Sequence, residues 1–379
     1  EGNTHNDWSE WEKSPGRIAD LKKRGLNPEE FISGRACDHY NRFREDFDIA
    51  KSLGHNAHRF SIEWSRIEPE EGKFNEKEIE HYREVIRALR ERGMEPFVTL
   101  WHWSFPLWFA EKERFEKEKN AFYFERYCKI MGEAFKDEVT YWITLNEPEV
   151  YTANSYITGR WPPQKKNIWK VFRVYKNLIT AHRRAYNALK QVNPHFQISI
   201  AKHNIYFEAY QNKAVNRTFK FFADKIWNFY FLEKTEDSLD FIGLNHYFHN
   251  RINYGFNKNE NKRKSDMGWE IYPEALYYVL RDLHRYGKPI IITENGTADA
   301  KDDRRHEFIQ ESLSQVARAV NEGTEVHGYL YWSLLDNFEW TDGFHPRFGL
   351  VEMDYKTLKR KIRPSAWTYK EIIESSRSI

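Results

Sequence analysis

Cysteine is nearly absent from the chain: Cys37 and Cys128 are the only two in 379 residues, too few for the disulfide framework of a small secreted domain. They read as buried thiols in a reducing compartment. No run approaches the ~18 consecutive apolar residues of a membrane-spanning helix, and the opening "EGNTHNDWSEWEKSPG" is polar rather than signal-like. A cytoplasmic protein without a membrane partner is expected. An excess of one charge is lacking too, because 59 Lys and Arg face 57 Asp and Glu. Without a net field to attract a polyanion, no nucleic-acid partner is expected. His-Glu-x-x-His and Cys-x-x-Cys spacings are missing, as are a Gly-x-Ser-x-Gly elbow and a Gly-x-x-x-x-Gly-Lys phosphate loop. No metal site and no cofactor are expected. No Pro-, Gly- or Ser-rich linker divides the chain, so residues 1–379 read as one catalytic domain.

What is present is apolar and aromatic. Hydrophobic residues make up 40% and aromatics 17% of the chain, enough for a large core. Seven short β-leaning runs recur, at 55 to 64, 95 to 103, 139 to 147, 197 to 204, 239 to 247, 289 to 296 and 326 to 336. Most are apolar throughout instead of alternating, as parallel strands covered on both faces should be. Between them lie segments with helical spacing. Ile79, Tyr82, Val85, Ile86 and Leu89 fall on one stripe over 76 to 92, with Gly93 following as a cap; 169 to 189 and 305 to 320 repeat the pattern. Strand then helix, repeated, implies βα units.

A doubly wound sheet and a (β/α)8 TIM barrel both satisfy that alternation. The polar residues separate them. "IEW", "WHW", "LNE", "KHN", "LNHY", "TENG" and "LLD" place polar or aromatic groups at the carboxyl end of strand after strand. Barrel enzymes build their sites from that whole rim, whereas an open sheet uses one switch point. The α/β barrel is the expected fold, with its first strand out of view. The charged stretch "NKNENKRKSD" at 257 to 266 reads as a solvated loop.

Glu147 and Glu294 each end a run that otherwise reads as buried, and each has an Asn beside it. Taken singly, either is an ordinary exposed strand terminus. Paired carboxylates in a partly dry pocket supply an acid and a nucleophile from one residue type, which is what glycoside cleavage needs.

"TLNEP" at 144 to 148, "ITENG" at 292 to 296, "RFSIEWSRI" at 59 to 67 and "WSLLDNFEW...RFGL" at 332 to 350 resemble, in order, the signatures of glycoside hydrolase family 1. These are retaining β-glucosidases and β-galactosidases. The resemblance implies that Glu147 is the general acid/base and Glu294 the nucleophile. It implies that Arg59 and Tyr247 hold the nucleophile ionised and aimed, with Asn146 beside the acid. His102, Trp103, Asn245, Trp332, Glu339, Trp340 and Phe348 would bind the sugar. Relatives that cleave 6-phosphoglycosides lack the Glu-Trp pair at 339 and 340, since a carboxylate repels phosphate. The substrate class implied is a terminal, unphosphorylated β-D-glucoside, with galactosides and fucosides as further candidates, carried on a small oligosaccharide or an aryl or alkyl aglycone. "NEP" in place of "NQP" argues against the thioglucosidases.

The chain departs from the family pattern in three places. It opens at "EGN", just after where the family has its first strand and a sugar-binding Gln. The connection at 227 to 243 is shorter than in relatives, and His246 stands where Tyr is usual. These departures keep alive a catalytically weakened barrel that binds sugars or another ligand, and a transglycosylase using the same two carboxylates.

Overall fold

The computed structural model describes residues 3–376. They fall into two compact units, divided inside a β-strand: one comprises the chain up to Ile200 with Asn337–His345 and Asp354–Lys359, the other Ala201–Asp336 with Pro346–Met353 and the chain from Arg360 onward.

In the first unit, β1 (Ala57–Ser61), β2 (Glu95–Trp101) and β3 (Tyr141–Asn146) run parallel, with Ala57 opposite Glu95 and Phe97 opposite Tyr141. β4 (Gln197–His203) begins beside β3, its Gln197 amide donating to the Thr140 carbonyl at 2.9 Å. β2 and β3 are buried from their second residue onward, which explains why their sequences do not alternate. Their crossovers are α1 (Glu76–Glu91), α2 (Ala121–Ala134) and α3 (Ile168–Val192). The stripe expected on α1 is the buried one, Ile79, Tyr82, Val85, Ile86 and Leu89. Its first turn is capped by the Asn75 side chain, which accepts from the Lys77 amide.

In the second unit the end of β4 pairs in parallel with β5 (Ile242–His246), β5 with β6 (Ile290–Asn295) and β6 with β7 (Val326–Tyr331). The helices here are α4 (Ala214–Ala223), α5 (Glu274–Leu283), α6 (Arg305–Asn321) and α7 (Pro364–Ser376). Beyond the carboxyl ends of β4 and β5 the chain forms a second parallel pair, Tyr206–Ala209 with His249–Ile252. The charged stretch after it is more than a solvated loop. Asn257 and Asn250 exchange hydrogen bonds, Asn259 accepts from the Arg251 amide at 2.7 Å, and Glu260 pairs with the Arg251 guanidinium at 2.5 Å. Its polar side chains satisfy the edge of the small sheet.

All seven strand candidates are strands, and the parallel βα order expected from the sequence is the order observed. Cys37 and Cys128 are buried and unpaired with each other. Burial pushes the Cys128 thiol well above its ordinary pKa, so it behaves as a small apolar group. Asp336 of "LLD" is fully buried and serves as an anchor. It accepts two bonds from the Arg363 guanidinium, at 2.9 and 3.1 Å, and one from the Gly349 amide at 2.9 Å. A buried carboxylate needs such compensation, and the "RFGL" segment supplies part of it.

Candidate active site

The first unit carries the residues around Glu147. β3 ends at Asn146, and Glu147 turns the chain with φ +42° before Pro148 opens a short helix, Pro148–Thr152. Left-handed backbone is uncommon for a residue with a side chain and is retained where the surroundings fix it. Pro suits the first helical position because no amide donor is needed there. Glu147 is thereby held at the strand end, only 4% exposed.

Asn146 organises its neighbours. Its Oδ1 accepts from Arg59 Nη2 at 2.6 Å, and its Nδ2 donates to His102 Nε2 at 3.1 Å. Nε2 therefore carries no proton and the imidazole is neutral. Its pKa agrees: desolvation, and then the nearby Arg59 charge, hold it well below the usual histidine value. Arg59 is steadied by donating from Nε to Thr99 Oγ1 at 3.1 Å. Trp103, at φ +76°, donates from its indole to the Asn146 carbonyl at 2.9 Å.

Around His102 stands a cage of indoles. Trp340 stacks on His102 at 5.8 Å and tilts against Trp103 at 5.1 Å, while Trp8 and Trp161 pack on the same rings at 4.6 and 4.4 Å. Such a wall suits the apolar face of a sugar. Trp8 and Trp161 were not anticipated. Trp8 lies in the short helix Asp7–Glu12 and Trp161 in the loop "RWPP", and neither stretch has a spacing that tells where its indole packs. The loop carrying Glu339 and Trp340 is pinned by the Glu339 amide, which donates to the Gly343 carbonyl at 2.7 Å. Gly343 has φ +65°, and a Cβ there would lie 2.4 Å from the Glu30 carbonyl. Only glycine lets the loop pass so close.

The second unit carries the residues around Glu294. This carboxylate is 4% exposed near the end of β6, and Tyr247 donates its hydroxyl to Oε2 at 2.5 Å. Both neighbours of Glu294 are fixed. Thr293 Oγ1 donates to Asn245 Oδ1 at 2.6 Å, and Asn245 lies opposite Glu294 in the strand register. Asn295 accepts from the Tyr329 hydroxyl at 2.8 Å and donates to the His246 carbonyl at 2.5 Å, while its own carbonyl accepts from the Trp332 amide at 2.9 Å. A Cβ on Gly296 would fall 1.8 Å from the Trp332 carbonyl oxygen, so the glycine of "TENG" is needed for this approach. Tyr329 was missed by sequence reading, because a tyrosine inside a strand carries no motif.

Phe348, expected to meet sugar, is 2% exposed and packs edge-on against Tyr247 at 6.1 Å, and Trp269 lies 5.9 Å from the same ring. The two rings hold the tyrosine that donates to Glu294. His246 donates from Nδ1 to the Asn204 carbonyl at 2.9 Å, and burial lowers its pKa to about 4. At neutral pH it is uncharged, as the usual Tyr would be. Among the described residues no cluster of His, Cys, Asp or Glu could hold a metal ion, and no helix is long and apolar enough to cross a membrane.

The family model of glycosyl hydrolase family 1 matches residues 6–235 and 232–378. The chain belongs to glycosyl hydrolase family 1. The two matched segments meet inside the 227–243 connection. Among solved family members, the chain is 39% identical to a β-glycosidase from Pyrococcus horikoshii, covering 99% of this chain and 91% of that one with a TM-score of 0.89. A Thermotoga maritima β-glucosidase in complex with glucoimidazole matches at 33% identity and a TM-score of 0.87, covering 97% and 92%. A 1,4-β-D-glucan glucohydrolase of Thermotoga neapolitana is 33% identical over 90% of this chain and 88% of its own length. The fold is the TIM-barrel fold of this family, and the protein is a glycoside hydrolase of the β-glycosidase type acting on O-glycosyl bonds.

Proposed function

We propose that this chain acts as one catalytic domain that hydrolyses terminal, unphosphorylated β-D-glucosides with retention of configuration, and accepts galactosides and fucosides. The observation carrying this reading is the buried Glu294 carboxylate, which accepts the Tyr247 hydroxyl and has both flanking residues locked. A carboxylate held so firmly, with a hydroxyl donated to it, suits a nucleophile.

In the first step a Glu294 oxygen bonds to the anomeric carbon as the bond to the aglycone oxygen breaks, and Glu147 delivers its proton to that oxygen. In the second, water attacks the same carbon from the opposite face, Glu147 takes the water proton and Glu294 leaves as carboxylate. Two inversions give retention; enzymes of this kind hold the two carboxyl groups ~5 to 5.5 Å apart. Neutral His102, whose Nε2 accepts from Asn146, carries its one ring proton on Nδ1 as a donor for sugar hydroxyls, and the indole cage supplies the stacking face. Glu339 takes up hydroxyls and repels a 6-phosphate. Known β-glucosidases and a β-galactosidase among the relatives agree with this substrate range. A cytoplasmic setting is part of the same reading, supported by the scarcity of cysteine.

A panel of nitrophenyl β-glycosides, with proton NMR of the first product, tests the proposal. Release of β-glucose ahead of mutarotation is expected. An α-configured first product, or turnover only of 6-phosphoglycosides, would refute it.

A further inference from the structure

Residues 150 to 207 contain ten Lys and Arg and no Asp or Glu, in a chain whose charges otherwise nearly balance. Part of this charge is neutralised by acids elsewhere in the first unit. Lys165 and Lys170 both pair with Glu116, and Arg184 pairs with Glu125. Lys166 and Arg173 are exposed and form no ion pair among the described residues.

The same stretch presents large apolar side chains to solvent. Trp169 is 77% exposed, Phe172 65%, Ile168 54% and Ile157 53%. Trp8, Trp64, Trp101 and Trp142 are all 1% exposed or less, and Trp169 is more exposed even than Trp367 at 44%. These groups form one face. Trp169, Phe172, Arg173 and Lys176 follow the three- and four-residue spacing of the outer side of α3, opposite the buried Val174, Leu178 and Ala181. Ile157 adjoins the start of that helix, where the Asn167 amide donates to the Tyr156 carbonyl at 2.9 Å.

We propose that this face docks the enzyme on an anionic phospholipid surface. Trp169, Phe172 and the two isoleucines would sit at headgroup depth, with Lys166 and Arg173 against lipid phosphates. A Trp and Phe cluster interleaved with cations is the composition of a helix that lies in a membrane interface. A second copy fits poorly, because a two-fold contact would set this basic face against itself. Single-stranded nucleic acid would use the aromatic rings and cations but has no role for two exposed isoleucines. The whole-chain charge balance averages this local asymmetry away, and a search for long apolar runs does not register a face that lies on a membrane without crossing it.

The test uses the full chain with flotation on vesicles of phosphatidylcholine alone and of phosphatidylcholine mixed with phosphatidylglycerol. Binding to the anionic vesicles only, weakened by added salt, is expected. The double substitution Trp169→Ser and Phe172→Ser, and separately Lys166→Glu with Arg173→Glu, should each weaken it roughly tenfold or more. Both variants should keep wild-type activity on nitrophenyl β-glucoside, which shows that they fold. Equal binding to neutral vesicles, no binding to either, or binding unaltered in both variants overturns the proposal. So does a change of oligomeric state in the Trp169 and Phe172 variant by sedimentation, which would assign the face to a second copy, or a gel shift with oligonucleotides that this variant abolishes.

Discussion

Glu147 and Glu294 each stand at the end of a parallel strand, equally buried, yet the chain holds them differently. Glu147 lies just past its strand, on a left-handed turn that opens a helix. Glu294 lies within its strand, with Tyr247 donating to its carboxylate and both neighbours tied by side-chain hydrogen bonds. The contrast fits the two different duties proposed for them. An acid/base must exchange a proton with leaving group and water, and Glu147 is set for this at the strand end by its left-handed turn. A nucleophile must stay aimed, and a strand with locked neighbours does that.

The largest expected effect follows from removing Glu294. Glu294→Ala should lower kcat for nitrophenyl β-glucoside by roughly 10⁵-fold, and azide should restore turnover with an α-glucosyl azide as product. Recovery of the β-azide instead would exchange the two roles. Glu147→Ala should lower turnover by about 10² to 10⁴-fold for poor leaving groups, but much less for dinitrophenyl glucoside, whose leaving group needs no proton. Here azide should give the β-azide.

Tyr247→Phe sharpens the comparison further, because it removes the donor to Glu294 and leaves the Glu147 side untouched. A hydrogen bond to a charged group contributes ~1.5–3 kcal/mol, so kcat should fall by about 10 to 100-fold with little change in KM. A shift in KM alone would mean that the tyrosine serves sugar binding instead.

The smallest effect concerns stability, and both units should share it. Burial lowers the pKa of His55 in the first unit, and of His246 and His249 in the second, to about 4. The unfolded chain takes up these protons below about 6.5, so it binds more protons than the folded chain between the two values. Stability should be complete above about pH 6.5 and fall as pH drops toward 4. Differential scanning calorimetry across that range checks it; a melting temperature that is flat down to pH 4 would show these imidazoles to be accessible in the folded state.

Much of the barrel was readable because each strand announces itself. Continuous apolar runs such as "ITL" and "IIIT" need burial on both faces, and the helices between them carry a single apolar stripe. The two glutamates were readable for a related reason, since a carboxylate that closes an apolar run contradicts its surroundings. Trp8 and Trp161 were not readable, because "DWSEW" is a single short helix and "RWPP" a loop, and no periodicity encodes where either one packs. Asp336 and Phe348 looked like rim residues by position, whereas one proves to anchor an arginine and the other to support Tyr247.

The sequence by itself determined the order of strands and helices, the buried thiols and the family motifs, all of which rest on local spacing and residue type. Only the tertiary structure decided which groups touch: Tyr247 with Glu294, 47 residues apart, or Trp8 with Trp103, 95 apart. It also decided that the Trp169 face of α3 is left bare. Such partners depend on strand register and helix rotation, which fix distances between remote residues and leave no mark on the spacing of either one.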